Sequence, residues 1–206
     1  DAFLTDAQRQ IAAFGVAWPR LELWCVPDTQ QPVLTDRQLR LSLRTLPELG
    51  KTIEARTAKH SPVEHPERKG PNIVRYAQLN SELGAEALLT DERGNLLEGA
   101  STSLIWWNEE TLCVTPDGGR VPSLTERLLR DFASVQGVPI RQEAVRPKDL
   151  TRSEVWAVNA LHCIRIVTSI DGVALPAPDE DRLHKFRAAL DASWQPVLPK
   201  APRKET

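Results

Sequence analysis

The sequence has no methionine, one tyrosine and only three cysteines among its 206 residues. Cys25, Cys113 and Cys163 are odd in number, far apart and set in apolar runs. This pattern favours reduced core residues over a disulfide framework or a cysteine-based metal site. It also favours a cytoplasmic location.

The missing methionine extends to position 1, because the chain starts at Asp1 and continues with Ala2-Phe3-Leu4. We therefore expect that the natural protein has a further N-terminal segment. Any residue which that segment adds to a functional site cannot be identified from these 206 positions.

Long apolar runs and an excess of one charge are also missing. No stretch approaches the ~20 apolar residues of a membrane helix, and 26 basic residues nearly balance 28 acidic ones at a net charge of -2. These features argue against a membrane protein and against nucleic-acid binding. With 41% hydrophobic residues the chain can form a core, and a small-molecule partner is expected.

Strand hairpins and separate helices alternate along the chain, a pattern typical of an α+β protein. A charged stretch with little apolar content, residues 59–69, indicates a boundary. We predict a small N-terminal α/β domain over 1–66, incomplete at its start, and a larger C-terminal mixed α/β domain over 67–195. Residues 196–206 are predicted to be a disordered tail, since they are rich in proline and lysine.

Two residues in the predicted C-terminal domain fit a pyridoxal phosphate site. Lys69 lies in Arg68-Lys69-Gly70-Pro71-Asn72, and Glu98 follows the predicted hairpin turn at Gly94-Asn95. This cofactor needs one lysine amine for its aldehyde, partly shielded from water, and one carboxylate beside its pyridine nitrogen. Taken alone, each has a simpler explanation, as a loop lysine and as an exposed glutamate at a strand end.

A predicted helix from Pro122 to Val135 adds a candidate phosphate site. Ser123 is placed to cap it, and Glu126 stands three residues later as the partner in a capping box. Leu124 and Thr125 then lie in the first turn, where free backbone amides bind phosphate. A helix that is capped without binding anything is the alternative.

Other polar and aromatic residues are assigned structural roles. Asn159 ends a predicted strand and either caps a turn or lines a pocket, while His162 is expected to be a structural histidine. No metal site is predicted, because histidines and cysteines are not found at ligand spacing. The tryptophans expected to fill the core are Trp24, Trp106, Trp107 and Trp156.

Taken in order, short motifs over residues 69–172 resemble the class IV pyridoxal phosphate enzymes. This family comprises branched-chain and D-amino acid aminotransferases and aminodeoxychorismate lyase. The motifs are Lys69-x-x-Asn72, Gly84-Ala85-Glu86-Ala87-Leu88-Leu89, Asp91-x-x-Gly94-Asn95-x-x-Glu98-Gly99, Thr115-Pro116, Pro122-Ser123-Leu124-Thr125-Glu126-Arg127, Glu154-Val155-Trp156 and Asn159-Ala160-Leu161. The resemblance implies the two-domain fold-type-IV architecture of D-amino acid aminotransferase, a homodimer, and pyridoxal 5'-phosphate as cofactor.

The resemblance also implies roles for individual residues. Lys69 would be the Schiff-base lysine and the general acid/base, and Glu98 the partner of the pyridine nitrogen. Leu124 and Thr125 would bind the phosphate.

Further residues would complete the site, and two positions depart from the family pattern. Asn159 and Ala160 would form the loop on the phosphate and substrate side. Ser103 would contact the cofactor where family members often have asparagine. Val74 stands where many transaminases have a tyrosine, five residues after the lysine; the chain's one tyrosine is Tyr76.

Asn159-Ala160-Leu161 resembles the lyase branch of the family more than the transaminases. The expected activity is therefore that of 4-amino-4-deoxychorismate lyase, which forms 4-aminobenzoate for folate biosynthesis. A class IV aminotransferase acting on a branched-chain or D-amino acid is the alternative. Val74 and Ser103 motivate a further one, a protein that keeps the fold but has weakened catalysis.

Overall fold

The computed structural model describes residues 2–27, 35–60 and 62–195. Internal contacts divide the chain into two compact units, Asp1–Glu48 with Gln195–Thr206, and Leu49–Trp194. This division lies before the boundary predicted at residue 66. The tail predicted at 196–206 lies outside the described residues.

The first unit contains helix α1, Ala2–Phe14, and the antiparallel strands β1, Trp18–Pro27, and β2, Thr35–Arg44. The prediction that Trp24 fills the core is wrong, because its side chain is 45% exposed. Trp24 lies on this two-stranded sheet, where the Arg40 guanidinium covers its ring at 4.6 Å. A cation–π contact thus replaces burial.

The second unit is built on a mixed sheet of nine strands among the described residues. Its helices are α2, Ile73–Leu83; α3, Leu124–Val135; and α4, Glu180–Ser193. Its strands are β3, Thr52–Thr57; β4, Glu86–Thr90; β5, Leu96–Gly99; β6, Ser103–Asn108; β7, Thr111–Val114; β8, Ile140–Gln142; β9, Glu154–Asn159; β10, Cys163–Ile170; and β11, Val173–Ala174. A short 3-10 helix spans Pro147–Leu150.

The strand order is β5-β4-β3-β10-β9-β6-β7-β8, and β11 pairs with β10. Strand β3 is parallel to both of its neighbours, and β7 is parallel to β8; the other pairs are antiparallel. Strand β3 lies inside this sheet through its backbone pairing with β4 and β10.

Both faces of the sheet are apolar, as the alternation along β6 illustrates. Ile105 and Trp107 join the cluster packed against α3 and α4, while Leu104 and Trp106 join the cluster on the other face. Trp107 meets Trp156 edge-on at 5.4 Å between ring centroids. The predicted core positions of Trp106, Trp107 and Trp156 are confirmed.

Cys113 is buried and Cys163 partly buried, and both are free thiols. The side chain of Cys25 lies outside the described residues. None of the described helices combines the length and the apolar character that crossing a membrane requires.

Candidate active site

All seven residues predicted to bind a cofactor line one cavity of about 310 Å³ in the second unit. They come from five places in the chain: the turn before α2, strand β5, the start of β6, the first turn of α3 and the end of β9. The residues are Lys69, Glu98, Ser103, Leu124, Thr125, Asn159 and Ala160.

Lys69 lies in the turn that leads into α2. The Asn72 side-chain amide donates to the Glu64 carbonyl at 3.0 Å, and the Ile73 N–H donates to the Gly70 carbonyl at 3.0 Å. These bonds fix the turn on both sides of the lysine. Lys69 itself is exposed to solvent. Partial shielding from water was expected of a lysine that holds the cofactor, and the residues around Lys69 do not provide it.

Helix α2 turns Tyr76 toward the cavity and Val74 away from it. Tyr76 lines the cavity together with Asn72 and Ile73, whereas the Val74 side chain is 77% exposed. The helix cap Asn72 and the helical residues Ile73 and Tyr76 have the spacing of one helix face. Helical spacing from Asn72 was the signal that could have identified Tyr76 as a cavity residue.

Glu98 is a buried carboxyl that is only half satisfied. Its side chain is 5% exposed, and Oε2 accepts a hydrogen bond from the Val121 N–H at 3.2 Å. Oε1 is buried without a hydrogen-bond partner among the described residues. Such an atom is costly to leave unpaired, so a hydrogen-bond donor that enters the cavity would stabilise it.

Burial raises the pKa of Glu98 from 4.5 to about 7. The Val121 N–H, Arg120 and Lys69 act in the opposite direction, and the nearby Glu126 carboxylate adds to the rise. Burial and the Glu98 charge in turn raise the pKa of the Tyr76 phenol. A further positive charge, or a charged donor at Oε1, would lower the pKa of Glu98 and favour its ionised form.

Glu86, at the start of β4, holds the loop that follows Glu98. Its buried carboxylate accepts from the Ser101 N–H at 2.7 Å, the Thr102 hydroxyl at 2.8 Å and the Asn80 amide at 3.1 Å. Glu86 belongs to one of the family motifs, but the sequence assigned it no role of its own. A glutamate directly before the apolar run Ala87-Leu88-Leu89 was the available signal that its side chain is buried.

Gly99 leaves no room for a side chain in this loop. A Cβ there would lie 2.3 Å from the Thr102 Oγ1 and 2.6 Å from the Glu86 Oε1. We expect Gly99→Ala to lower the free energy of unfolding by about 2 kcal/mol, because both contacts are overpacked. Urea denaturation measures the change, and Gly50→Ala, with no atom closer than 3.7 Å, is the matched control. Equal stability of the two variants would contradict a tight loop at Gly99.

Ser123 caps α3 as predicted, since the Glu126 N–H donates to its Oγ at 3.2 Å. The reciprocal half of the predicted capping box is wrong. The Glu126 carboxylate turns instead to Arg120, because a buried guanidinium lies within 2.6 Å of it. Backbone amides in the first turn of a helix have no intrahelical partner, so Leu124 and Thr125 present theirs at the cavity.

The Arg120 side chain is buried in the loop before α3. It donates to Glu126 through Nη1 and Nη2 at 2.6 and 2.8 Å. It also donates to the carbonyls of Thr115 at 3.1 Å and Pro116 at 3.2 Å, and to Asp117 at 3.4 Å. Because these partners come from both sides of the loop, Arg120 orders the whole segment between β7 and α3.

Asn159 both caps a turn and lines the cavity, the two roles predicted as alternatives from the sequence. Its Oδ1 accepts from the N–H groups of Leu161 at 3.1 Å and His162 at 2.8 Å, which caps the turn after β9. It also lines the cavity, where its amide donates to the Ser101 carbonyl at 3.2 Å. His162 is structural as expected, since its Nδ1 accepts from the Gly50 N–H at 3.2 Å.

A model of the amino-transferase class IV family matches residues 6–170, most of the chain. The chain belongs to the class IV aminotransferase family. It is accordingly a pyridoxal-phosphate-dependent enzyme, as its motifs predicted. No curated protein matches the sequence.

Solved structures support the class IV aminotransferase fold. A branched-chain aminotransferase from Thermoproteus uzoniensis with norvaline has a TM-score of 0.80 at 16% identity, over 94% of this chain and 74% of that one. A Legionella pneumophila protein proposed to be 4-amino-4-deoxychorismate lyase has a TM-score of 0.78 at 15% identity, over 90% and 73%. A hypothetical aminotransferase from Mycobacterium tuberculosis in its PLP-bound form gives 0.73 at 18% identity, over 90% and 70%. At these identities the likeness establishes the fold.

Proposed function

We propose that this class IV enzyme holds pyridoxal 5'-phosphate in the cavity between Lys69, Glu98 and the start of α3, and acts there on a small amino-bearing substrate. The observation that carries the proposal is the buried Glu98 carboxyl, whose Oε1 has no partner among the described residues. A protonated pyridine nitrogen is the kind of donor that it lacks.

Three features of the cavity fit this cofactor. The unpaired Oε1 of Glu98 suits the ring nitrogen. The first turn of α3, with the Thr125 hydroxyl, suits a phosphate. Lys69 supplies the amine that would hold the cofactor's aldehyde carbon.

When bound, the cofactor supplies an electron sink for bond breaking next to the substrate's amine. The chain supplies the other functions. Glu98 keeps a proton on the ring nitrogen, and Lys69 carries protons to and from the substrate through its Nζ. Leu124 and Thr125 anchor the phosphate, while Asn159 and Ala160 limit the substrate side.

Within the class, we propose 4-amino-4-deoxychorismate lyase activity. The substrate splits into pyruvate and 4-aminobenzoate, a balanced reaction that needs no oxidant or second substrate. One proton leaves the carbon that bears the amine, and another reaches the departing enolpyruvyl methylene carbon. Lys69 serves both transfers. The support is the Asn159-Ala160-Leu161 turn, whose sequence resembles the lyase branch.

The second candidate is aminotransferase activity on a branched-chain or D-amino acid. The family's own description and the fold shared with a branched-chain aminotransferase favour it. There, Lys69 would move a proton between the substrate and the cofactor, and a keto acid would accept the amine. The resemblance also suggests a cytoplasmic location and a homodimer. Sedimentation of the purified protein would test whether it is a dimer.

Turnover assays distinguish these activities. We expect purified protein with added pyridoxal phosphate to release pyruvate from 4-amino-4-deoxychorismate without any keto acid. Turnover of amino acids that depends on a keto-acid acceptor would instead establish the aminotransferase. A protein that binds the cofactor but turns over neither substrate would be the weakened form that Val74 and Ser103 motivate.

A further inference from the structure

We propose that the buried ion pair of Arg120 and Glu126 is a positioning device, which sets Glu98 in register with the start of α3. This inference rests on the proposed function, in which Glu98 meets the cofactor ring and α3 meets its phosphate. Neither Arg120 nor Glu126 needs to touch the cofactor for this role.

The pair is placed and bonded in a way that stability alone does not explain. Arg120 is 4% exposed and Glu126 is 3% exposed, and two hydrogen bonds of 2.6 and 2.8 Å join them side by side. A buried ion pair is often no more stabilising than apolar side chains of the same volume. It does, however, fix the relative orientation of the two segments that it joins.

One end of the pair holds the segment that contacts Glu98. Arg120 binds the carbonyl of Thr115, and the Thr115 hydroxyl donates to the Leu97 carbonyl at 2.8 Å, next to Glu98 in β5. Val121, the residue after Arg120, donates its N–H to the Glu98 Oε2 at 3.2 Å. Arg120 therefore lies next to two contacts: the bond to the backbone just before Glu98, and the N–H that donates to the Glu98 carboxyl.

The other end of the pair lies in the first turn of α3. Glu126 uses its N–H to bond the Ser123 cap and its carboxylate to bond Arg120. The ion pair therefore links the loop that contacts Glu98 to the helix start at Leu124. Arg130, further along α3, adds longer contacts to Asp117 at 3.8 Å and to Glu126 at 3.6 Å. We infer that the ion pair sets the distance between Glu98, the proposed partner of the ring nitrogen, and the start of α3, the proposed partner of the phosphate.

The pair also acts on Glu98 through its charges. Four ionisable side chains influence or are influenced by Glu98: Lys69 from the turn before α2, Tyr76 from α2, Arg120 from the loop and Glu126 from α3. Arg120 lowers the pKa of Glu98, and Glu126 raises it. Removing only the Glu126 charge leaves the effect of Arg120 unopposed.

The first test uses the cofactor-free full chain, labelled with ¹³C at glutamate carboxyls. In Glu126→Gln, whose amide oxygen can still accept from Arg120, we expect the NMR titration midpoint of Glu98 to fall by at least about half a pH unit. Glu98→Gln identifies the signal, and Glu92→Gln, an exposed turn residue, is the matched control. An unchanged midpoint in folded Glu126→Gln would overturn the electrostatic part of the inference.

The second test measures cofactor binding by titration with pyridoxal phosphate. Arg120→Lys keeps the charge but loses the fork of donors, so we expect the dissociation constant to rise at least about tenfold. Glu126→Asp keeps the charge on a shorter side chain, and we expect a smaller rise in its dissociation constant. This variant checks that the loss of cofactor affinity depends on the geometry of the pair. Equal affinity of Arg120→Lys and unaltered protein would overturn the positioning role.

The two failures are distinguishable. If the unaltered chain does not bind pyridoxal phosphate, the proposed function fails, whereas the apo titration still reports whether the pair acts on Glu98. If the unaltered chain binds the cofactor and neither variant changes the midpoint or the affinity, only the present inference fails. Thermal melting of each variant identifies any that has not folded. If Arg120→Lys is one of these, the double variant Arg120→Gln with Glu126→Gln replaces it, because it leaves no buried charge unpaired.

Discussion

Replacing Lys69 by alanine is expected to abolish covalent attachment of the cofactor and to lower turnover at least about 10³-fold. Among the described residues that line the cavity, Lys69 supplies the one primary amine. A cofactor held only by Glu98 and the start of α3 would exchange freely, and no other lining amine could carry the proton. Noncovalent binding should persist, because the proposed ring and phosphate partners are unchanged.

Borohydride reduction followed by intact mass measurement tests this expectation. The unaltered protein should gain one reduced cofactor, and Lys69→Ala should gain none. Lys148→Ala, which removes an exposed lysine distant in sequence, is the control for nonspecific labelling. An adduct on Lys69→Ala would show that a different amine holds the cofactor.

Replacing Glu98 by glutamine is expected to have opposite effects on the cofactor-free protein and on the loaded enzyme. Burial raises the pKa of Glu98 from 4.5 to about 7, so between these pH values the folded chain binds more protons than the unfolded chain. Stability therefore falls as the pH rises through this window and stays lower above it. Glutamine cannot ionise, so the apo variant should be more stable at pH 8 by about 2 kcal/mol.

The loaded variant should instead lose function. Glutamine cannot balance a charged ring nitrogen, so we expect at least about a 10²-fold lower turnover. Urea denaturation of the apo proteins at pH 4 and pH 8 measures the first effect, and Glu92→Gln is the control. A stability gain that is the same at both pH values would mean that ionisation of Glu98 is not its cause.

The parts of the site that follow local rules could be predicted from the sequence. A cap serine before an apolar stripe fixed the start of α3, and a Gly-Asn turn fixed the hairpin that presents Glu98. Contacts that depend on tertiary packing could not be predicted in this way. Glu126 had a sufficient local explanation as a capping-box partner, and only packing reveals that it binds Arg120.

The same limit applies to the pairing of β3 and to the exposed tryptophan. The short strand at Thr52–Thr57 precedes a polar stretch, so the sequence offers no hint of partners that lie far along the chain. Trp24 has the alternating surroundings of a buried strand residue, and its exposure depends on how few strands its sheet contains. The periodicity of a strand predicts which face of the sheet a residue occupies, but it does not predict whether other residues pack over that face.

The parallel pairing of β3 with β10 has a consequence for the order in which the molecule can form during synthesis. The Thr168 hydroxyl donates to the Ile53 carbonyl across 115 positions of sequence. Until β10 has left the ribosome, β3 has an open edge that can pair with another nascent chain. Because such distant contacts also slow folding, the yield of native protein should depend on chaperones that shield this edge.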